Sequence, residues 1–309
     1  MKKTIKIRVP GTTANCGPGF DSIGIACTIY NEIEFTFTPA GPIEIVIEGE
    51  GAGLLPETAD NVIIKAVQMV FDRIYSRYPH CQQSRWQGIR LHMNNAIPLS
   101  RGLGSSAAAI VAGLVAANEL CGNNLNKEEI LEIASAMEGH PDNVAPAVYG
   151  GITVSVAEAS QVHCIRFIPK ADFSMVVAIP EFNLSTKLAR KVLPDSVPFQ
   201  DAVFNIGRTA LLVSSLYEGK LDFLQYALID KIHQPYRSKL IPGMPEVFTA
   251  ARKAGALGAA LSGAGPCLIA FALSDLNKIG KAMVNTFSQH NVKAYYKVLG
   301  IDQEGAKII

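Results

Sequence analysis

Glycines and serines stand together in Gly102-Leu103-Gly104-Ser105-Ser106, directly before an alanine-rich stretch. Alternating apolar residues over 89–93 predict a strand ahead of this segment, and the apolar run Ala107 to Ala117 predicts a buried helix after it. A loop between a strand and a helix brings unpaired backbone N–H groups and the positive end of the helix dipole to one point, which suits a phosphate group. The glycines allow close backbone approach, and the serine hydroxyls can bind phosphate oxygens or Mg²⁺.

Two widespread phosphate loops do not fit this segment. The sequence contains no G-x-x-x-x-G-K-[ST] motif, and Ala107 stands where the dinucleotide fingerprint has its third glycine, which argues against a dehydrogenase. A glycine turn capped by serine, without any ligand, is the structural alternative for the short motif alone. The longer context is more specific, and the predicted nucleotide-binding residues are Pro98, Leu99, Ser100, Arg101, Gly102, Leu103, Gly104, Ser105, Ser106, Ala107 and Ala108.

The composition is that of an ordinary globular protein. Hydrophobic residues make up 49% of the 309 residues and charged residues 18%, and 28 basic residues balance 27 acidic ones. This balance provides no electrostatic footprint for nucleic acid or for an anionic membrane. The longest apolar run has 11 residues, short of the roughly 20 that a membrane-spanning helix needs. The first residues alternate apolar and basic, which predicts a strand and not a signal peptide, so a cytoplasmic protein is expected. Six cysteines without metal-ligand or disulfide spacing predict reduced, mostly buried thiols.

The order of predicted elements is typical of an α+β protein with two domains, which we expect at 1–165 and 166–309. Asn126, followed by Glu129 and stopped by Gly139, predicts a capped helix between them. The periodicity predicts further helices at 63–74, 185–193, 199–218, 220–229, 245–254 and 275–289, and strands at 5–9, 43–47, 89–93, 152–157, 163–168, 174–179, 257–262, 267–272 and 292–299.

Three segments carry a family resemblance. The run P-x-x-x-G-L-G-S-S-A-A from Pro98 to Ala108 resembles the nucleotide loop of GHMP kinases, the superfamily of galacto-, homoserine, mevalonate and phosphomevalonate kinases. The stretch Val9 to Asp21 resembles the first motif of these enzymes, and Leu261 to Pro266 the third. The resemblance implies ATP and Mg²⁺, an N-terminal domain like the second domain of ribosomal protein S5 with an unusual left-handed βαβ crossover, and a ferredoxin-like C-terminal domain.

Two segments resemble homoserine kinases in particular, namely Glu138 to Pro146 and the A-N-x-G-P-G-F-D stretch that ends in Asp21. The resemblance implies ATP-dependent phosphorylation of L-homoserine to O-phospho-L-homoserine in threonine biosynthesis, by a homodimer. It also implies a set of substrate-binding residues, comprising Asn15, Asp21, His140, Asp142, Asn143, Arg190, Arg237 and Gly263. Arginine suits a carboxylate because its planar fork can donate two parallel hydrogen bonds.

The implied roles differ among these residues. Arg190 and Arg237 are expected to bind the carboxylate, and Thr186, one helical turn before Arg190, to lie near the reacting hydroxyl. By residue type alone, Arg190 is better explained as a solvated helix charge, and His140 as a hydrogen-bonded residue of a turn.

The catalytic aspartate of mevalonate-type relatives aligns with Asn143, an amide that cannot accept a proton at neutral pH. In the family an acid eleven residues before that position binds Mg²⁺ together with a loop serine. This spacing selects Glu132 and Ser106 as metal ligands here, although Glu132 alone resembles an ordinary surface charge. Two alternatives remain open: another GHMP kinase with a mevalonate- or shikimate-type alcohol, and a catalytically silent protein that only binds a metabolite.

Overall fold

The computed structural model describes residues 2–77, 88–159 and 161–309. The predicted α+β class is confirmed, since helices pack on two sheets that carry seven and four strands within the described residues. The strands are β1 Lys3–Ala14, β2 Ile23–Thr38, β3 Ile43–Gly49, β4 Gly88–Asn95, β5 Ile152–Glu158, β6 Gln161–Phe167, β7 Ser174–Pro180, β8 Gly258–Leu261, β9 Leu268–Ala272, β10 Ala294–Leu299 and β11 Lys307–Ile308. The helices are α1 Val62–Arg77, α2 Ser105–Leu120, α3 Lys127–Glu138, α4 Pro141–Tyr149, α5 Thr186–Lys191, α6 Phe199–Glu218, α7 Leu224–Ala227, α8 Gln234–Arg237, α9 Met244–Lys253 and α10 Leu276–Gln289.

The larger sheet has the order β11-β1-β2-β4-β3, with β5 paired to β2 and β6 paired to β5. Strands β3 and β4 are parallel, and α1 connects them, so they form the βαβ unit that the family resemblance implied. Long strands β1 and β2 run antiparallel through its centre, with a register shift between Pro10 and Gly11. The carboxyl-terminal half of β1 therefore lies deep in the molecule, where its side chains are buried.

The smaller sheet has the order β10-β7-β9-β8 and is antiparallel throughout. Its strands and the helices α9 and α10 follow in the order β7-α9-β8-β9-α10-β10, as expected for a ferredoxin-like unit. The predicted boundary at residues 165 and 166 falls inside β6, a strand that pairs with β5 and so still belongs to the larger sheet. The change of sheet occurs between Phe167 and Ser174, and the last residues of the chain return to pair with β1.

Helix α2 is apolar on all sides and lies at the centre of the main core, against α1, β1, α3 and α4. Most of the helix is enclosed, and it meets the cavity described below at Ser105, Ser106 and Ala109, near its amino terminus. Helix α3 begins as predicted, since the Asn126 side chain accepts from the Glu129 N–H and Glu129 bonds back to the Asn126 N–H. Gly139 ends the helix in a left-handed conformation with φ 89°.

Four of the described elements were missed by the sequence analysis, namely β2, α4 and the short elements α8 and β11. Strand β2 shows a clear signal, since apolar residues alternate from Ile25 to Phe37, interrupted at Asn31. Helix α4 shows none, because it is short, contains Pro146 and is buried almost all round, so it has no polar face. The helix predicted at 220–229 is in fact a 3₁₀ turn at Leu221–Phe223 followed by the single turn of α7.

Among the described residues, no helix combines the length and the apolarity needed to cross a membrane. The thiols of Cys16, Cys27 and Cys267 are buried as predicted. Burial raises the pKa of all three, that of Cys27 to about 12. Cys81 and His80 lie outside the described residues.

Candidate active site

A cavity of about 370 Å³ opens where the amino terminus of α2 meets the segments after β1 and before β9. Most of the predicted site residues line it, namely Asn15, Asp21, Leu99, Ser100, Arg101, Gly102, Leu103, Gly104, Ser105, Ser106, His140, Asp142, Asn143, Thr186, Arg190, Arg237 and Gly263. Pro98, Ala107 and Ala108 are buried behind the loop and support it. Glu132 does not line the cavity.

The glycine loop is held from both sides by backbone contacts. The Thr12 N–H donates to the Leu103 carbonyl (3.0 Å), and the Cys267 N–H donates to the Arg101 carbonyl (3.1 Å). Gly102 has φ 80°, and a Cβ at this position would lie 2.1 Å from the Ser262 carbonyl oxygen. Glycine is required there because the third motif approaches the loop so closely. The three motifs therefore form one continuous wall around the start of α2.

Ser106 lies in the first turn of α2, and its hydroxyl donates to Glu138 Oε2 (2.8 Å). Glu138 is the last residue of α3 and also lines the cavity. Burial raises the pKa of its carboxyl group, an effect that the Ser106 hydrogen bond partly offsets. A carboxylate and a hydroxyl at the phosphate loop are hard oxygen donors, which fits Mg²⁺.

This pair corrects the assignment of Glu132. Glu132 precedes Glu138 by six residues on α3, roughly 9 Å farther along the helix axis at 1.5 Å per residue. The eleven-residue spacing fails because only Gly139 and His140 separate α3 from α4, which begins at Pro141 and carries Asn143. The acid that faces Ser106 is therefore five residues before Asn143.

At the other end of the cavity, acids and arginines lie together. Arg190 donates two hydrogen bonds to Asp21 (2.7 and 3.0 Å), and His140 Nδ1 lies 2.5 Å from Asp142 Oδ1. Burial by itself would lower the pKa of His140, but the hydrogen bond to Asp142 and the charge of that carboxylate outweigh it, so the pKa is raised. The cluster therefore offers both carboxylate and guanidinium groups to a ligand.

Arg237 is buried, with 2% of its surface exposed, at the end of the short helix α8. Its guanidinium donates to the carbonyls of Ala189 (3.2 Å) and Gly263 (3.1 Å). Burial, together with the charge of Arg190, lowers the Arg237 pKa to about 10. Both arginines stack on the Phe20 ring, at 5.1 and 5.5 Å from its centroid. Two guanidinium groups held this close favour an anion between them.

His233, to which the sequence analysis assigned no role, supports Arg237. It is buried, its Nε2 lies 2.6 Å from the Gly17 carbonyl, and its Nδ1 lies 3.4 Å from the Arg237 guanidinium. Burial lowers the pKa of His233, which favours the neutral ring beside the arginine. The relevant signal in the sequence is the i, i+4 spacing of His233 and Arg237 around a proline, which has no specificity by itself.

Asn15 links the first and third motifs. Its Nδ2 donates to the Gly263 carbonyl (2.9 Å), and its Oδ1 accepts from the Asp21 N–H (2.9 Å). Both polar ends of this amide are thus used within the protein. Thr186 begins α5, which Ser185 caps, and this helix carries Arg190 one turn later.

Apart from Leu99, the region beyond the glycine loop was missed by the sequence analysis. The cavity is lined there by the apolar side chains of Leu55, Val62, Met93 and Leu99. Asn61 caps the start of α1, since its Oδ1 accepts from the Ile63 N–H (3.0 Å). This lining suits a flat group with apolar faces, such as a nucleobase. It was overlooked because its residues come from separate elements and share no motif.

The chain is similar to known proteins in a way that agrees with this site. The sequence profile for the GHMP kinases N terminal domain matches residues 61–151, and that for the GHMP kinases C terminal region matches residues 213–289. The chain belongs to the GHMP kinase family.

Relatives at higher identity carry a more particular name. A homoserine kinase of Moorella thermoacetica is 45% identical over 98% of this chain and 99% of its own length. A homoserine kinase of Carboxydothermus hydrogenoformans is 42% identical over 97% and 95%. The crystal structure of homoserine kinase from Cytophaga hutchinsonii superposes with a TM-score of 0.87 at 32% identity, covering 100% of this chain and 98% of that one. Mevalonate kinase of L. major shares the fold at 20% identity, with a TM-score of 0.71 over 98% and 97% of the two chains.

Proposed function

We propose that this chain is an ATP-dependent kinase that phosphorylates L-homoserine to O-phospho-L-homoserine, a step of threonine biosynthesis. The observation that carries the proposal is that one cavity joins the glycine loop at the start of α2 to the cluster of acids and arginines. The names of the relatives support the same activity.

The cluster suits an amino acid that carries both charges. Asp21 and Asp142 provide carboxylates for an ammonium group, and Arg190 and Arg237 provide guanidinium groups for a carboxylate. Asp21 and Arg190 bond to each other, so each is already oriented toward a group of opposite charge. Mevalonate carries a carboxylate for the arginines but no ammonium group that could use the two acids.

ATP would bind with its phosphates on the glycine loop and its base among Leu55, Val62 and Met93. Ser106 and Glu138 are the residues that would hold Mg²⁺. The ion, when bound, supplies positive charge to the phosphate oxygens. Because few protein ligands are available at this point, phosphate oxygens and water would complete its coordination.

No side chain is needed as a base in this mechanism. The oxygen of the homoserine hydroxyl forms a bond to the γ-phosphorus while the bond from phosphorus to the leaving ADP oxygen lengthens, and the hydroxyl proton passes to the transferred phosphoryl group. Asn143 and Thr186 orient the hydroxyl, and the arginines and the loop N–H groups hold the reactants in place. Positioning and charge neutralisation supply the catalysis.

A steady-state assay of ADP release tests the proposal and its rivals together. Homoserine, mevalonate and shikimate are compared at equal concentrations, and the product is identified by mass spectrometry. We expect ADP and a phosphorylated product with homoserine. Activity with another alcohol alone would assign a different GHMP kinase, and binding of homoserine without ADP release would indicate a silent binding protein.

A cytoplasmic location and a homodimer, both expected from the sequence, are part of the proposal. Helix α6 supports the dimer because it presents an uncharged, exposed stripe along its length. The α6 stripe comprises Phe199, Val203, Ile206, Gly207, Ala210, Ser214 and Tyr217. Phe199 is 82% exposed and Ile206 is 70% exposed, which is unusual for large apolar side chains on one helix face.

A second copy fits this surface because the stripe is self-complementary. When two such helices run antiparallel about a two-fold axis near the middle of α6, Ile206 faces Ala210 and Phe199 faces Tyr217 of the other copy. Large side chains then oppose small ones near the axis, and aromatic rings meet at each end. Small residues in the centre of the stripe allow the helices to approach closely.

A further inference from the structure

Thr12, near the end of β1, connects the glycine loop to α4. Its side chain is fully buried, its N–H donates to the Leu103 carbonyl (3.0 Å), and its hydroxyl donates to Asn143 Oδ1 (2.9 Å). The space around the hydroxyl is filled, since a Cβ on Gly104 would lie 1.9 Å from Thr12 Oγ1. The hydroxyl is therefore confined between the loop and the Asn143 amide.

The neighbours of Asn143 determine which way its amide faces. Asn143 Nδ2 lies 3.2 Å from Asp142 Oδ1, and a carboxylate oxygen can only accept a hydrogen bond. The amide nitrogen must therefore face Asp142, which leaves the amide oxygen toward Thr12. A hydroxyl can donate to that oxygen, and the bond from Thr12 then satisfies it.

Only one polar group of the Asn143 amide is left to bond a ligand. Its amide oxygen is engaged by Thr12, and one of its two N–H groups is engaged by Asp142. Asn143 is 8% exposed and lines the cavity, so the remaining N–H is the group left to meet a ligand. In this arrangement Asn143 is a hydrogen-bond donor.

We propose that Thr12 is a positioning residue that fixes the Asn143 amide so that its N–H donates to the oxygen of the acceptor alcohol. This inference rests on the proposed function, because it takes Asn143 to lie at the reacting hydroxyl. Donation to the alcohol oxygen orients a lone pair toward phosphorus and leaves the alcohol's own proton free to pass to the phosphoryl group. Without the Thr12 hydroxyl, the buried amide oxygen loses its donor, and only the longer contact to Asp142 (3.2 Å) still holds the amide in this orientation.

The test compares Thr12→Val, which keeps the shape and removes the hydroxyl, with Thr12→Ser, which keeps the hydroxyl. We expect Thr12→Val to lower kcat about tenfold, the effect of losing one hydrogen bond in the transition state, with an unchanged KM for ATP. Thr12→Ser should stay within about threefold of the native kcat, since serine can make the same bond. Thr153→Val is the matched control, because Thr153 is an equally buried strand threonine whose hydroxyl donates to the Gly24 carbonyl (3.4 Å) outside the cavity.

A double-mutant cycle with Asn143→Ala separates a role through Asn143 from a general effect on the fold. If Thr12 acts through the amide, Thr12→Val should have little further effect on kcat in the Asn143→Ala background. The same loss in both backgrounds, or Thr12→Ser as slow as Thr12→Val, would overturn the inference. Should Thr12→Val fail to fold, Thr12→Ala in both backgrounds serves the same comparison, with thermal unfolding as the check. Native protein without homoserine-dependent ADP release would instead reject the proposed function.

Discussion

Asn143 is the residue at which this site departs from kinases with a catalytic aspartate. Its amide bridges Thr12 and Asp142, since the amide oxygen accepts from the Thr12 hydroxyl and the amide nitrogen donates to the Asp142 carboxylate. An aspartate in its place would set a second carboxylate 3.2 Å from Asp142 Oδ1. Two carboxylates that close repel each other, and one would be driven to hold a proton.

We therefore expect Asn143→Asp to be slower than the native enzyme, by about tenfold or more in kcat, because a carboxyl group lacks the orienting N–H and, when ionised, adds negative charge beside the transferring phosphoryl group. Asn143→Ala loses the orienting hydrogen bond without adding charge and serves as the comparison. The measurement is kcat against pH for all three proteins, with chemistry shown to be rate-limiting. An aspartate variant as fast as the native enzyme would mean that a base at this position is useful, contrary to the proposed proton route.

The pairing of His140 with Asp142 predicts that the stability of the folded protein depends on pH. Burial by itself would lower the pKa of His140. Pairing with Asp142 outweighs this effect and raises the pKa in the folded protein above its unfolded value. The protonated ring is thus favoured by folding, so its stabilisation is complete below the unfolded pKa and is lost as pH rises through the folded pKa.

Thermal unfolding of the native protein and of His140→Gln, measured from below the unfolded pKa of His140 to above its folded pKa, tests this pH-dependent stabilisation. The native protein should be more stable than the variant at the acid end, and the difference should shrink as pH rises. A difference that stays constant with pH would show that the His140–Asp142 contact carries no charge-dependent stabilisation. Loss of an acid limb of kcat in an active His140→Gln variant would make His140 a base.

At the scale of elements, the junction between α3 and α4 decides which acid reaches the phosphate loop. Gly139 ends α3 in the left-handed conformation, and Pro141 starts α4 almost at once. The short connection leaves Glu138 at the tip of α3, facing Ser106 at the first turn of α2. Glu132 lies earlier on the same helix, away from the cavity.

Glu138→Gln and Glu132→Gln form a matched pair on one helix. Glu138→Gln should raise the Mg²⁺ concentration for half activity and lower kcat by about tenfold or more, because a charged metal ligand becomes neutral. Glu132→Gln should leave both quantities near native values. The measurement is ADP release against Mg²⁺ concentration at saturating homoserine. A larger metal effect in Glu132→Gln than in Glu138→Gln would restore the assignment made from spacing.

At the scale of the whole molecule, the two sheets meet through one continuous core, and α6 is left with an apolar outer face. A typical stable interface buries about 800 Å² on each partner, with large apolar side chains near its centre. The α6 stripe provides such side chains, and Ile206 lies close to its middle.

Ile206→Glu should convert the proposed dimer to a monomer, because two carboxylates would face the apolar centre of the interface without partners. The mass in solution, measured by sedimentation velocity, tests this expectation. Ile165→Glu is the matched control, since Ile165 is 72% exposed on β6, outside the stripe. A native protein that is monomeric at all accessible concentrations would reject the α6 interface, and dissociation by Ile165→Glu alone would assign the interface to β6.

The sequence by itself determined the local features of this protein. The cap of α3 at Asn126, the loop at Gly102 and Gly104, and the family motifs depend on neighbours in the chain, so a linear pattern reports them. Most strands and helices were predictable for the same reason, because their periodicity is local. Even β2 carried a visible alternation.

The tertiary structure alone decided the contacts between distant residues. The acid that faces Ser106 is Glu138 and not Glu132, because the turn between α3 and α4 is short. The eleven-residue spacing taken from the family resemblance carries no information about the length of that turn. The bond between Thr12 and Asn143 spans 131 positions, and His233 reaches the Gly17 carbonyl across 216. Such contacts exist only because packing of the strands and helices brings the residues together, and no periodicity in a single segment encodes them.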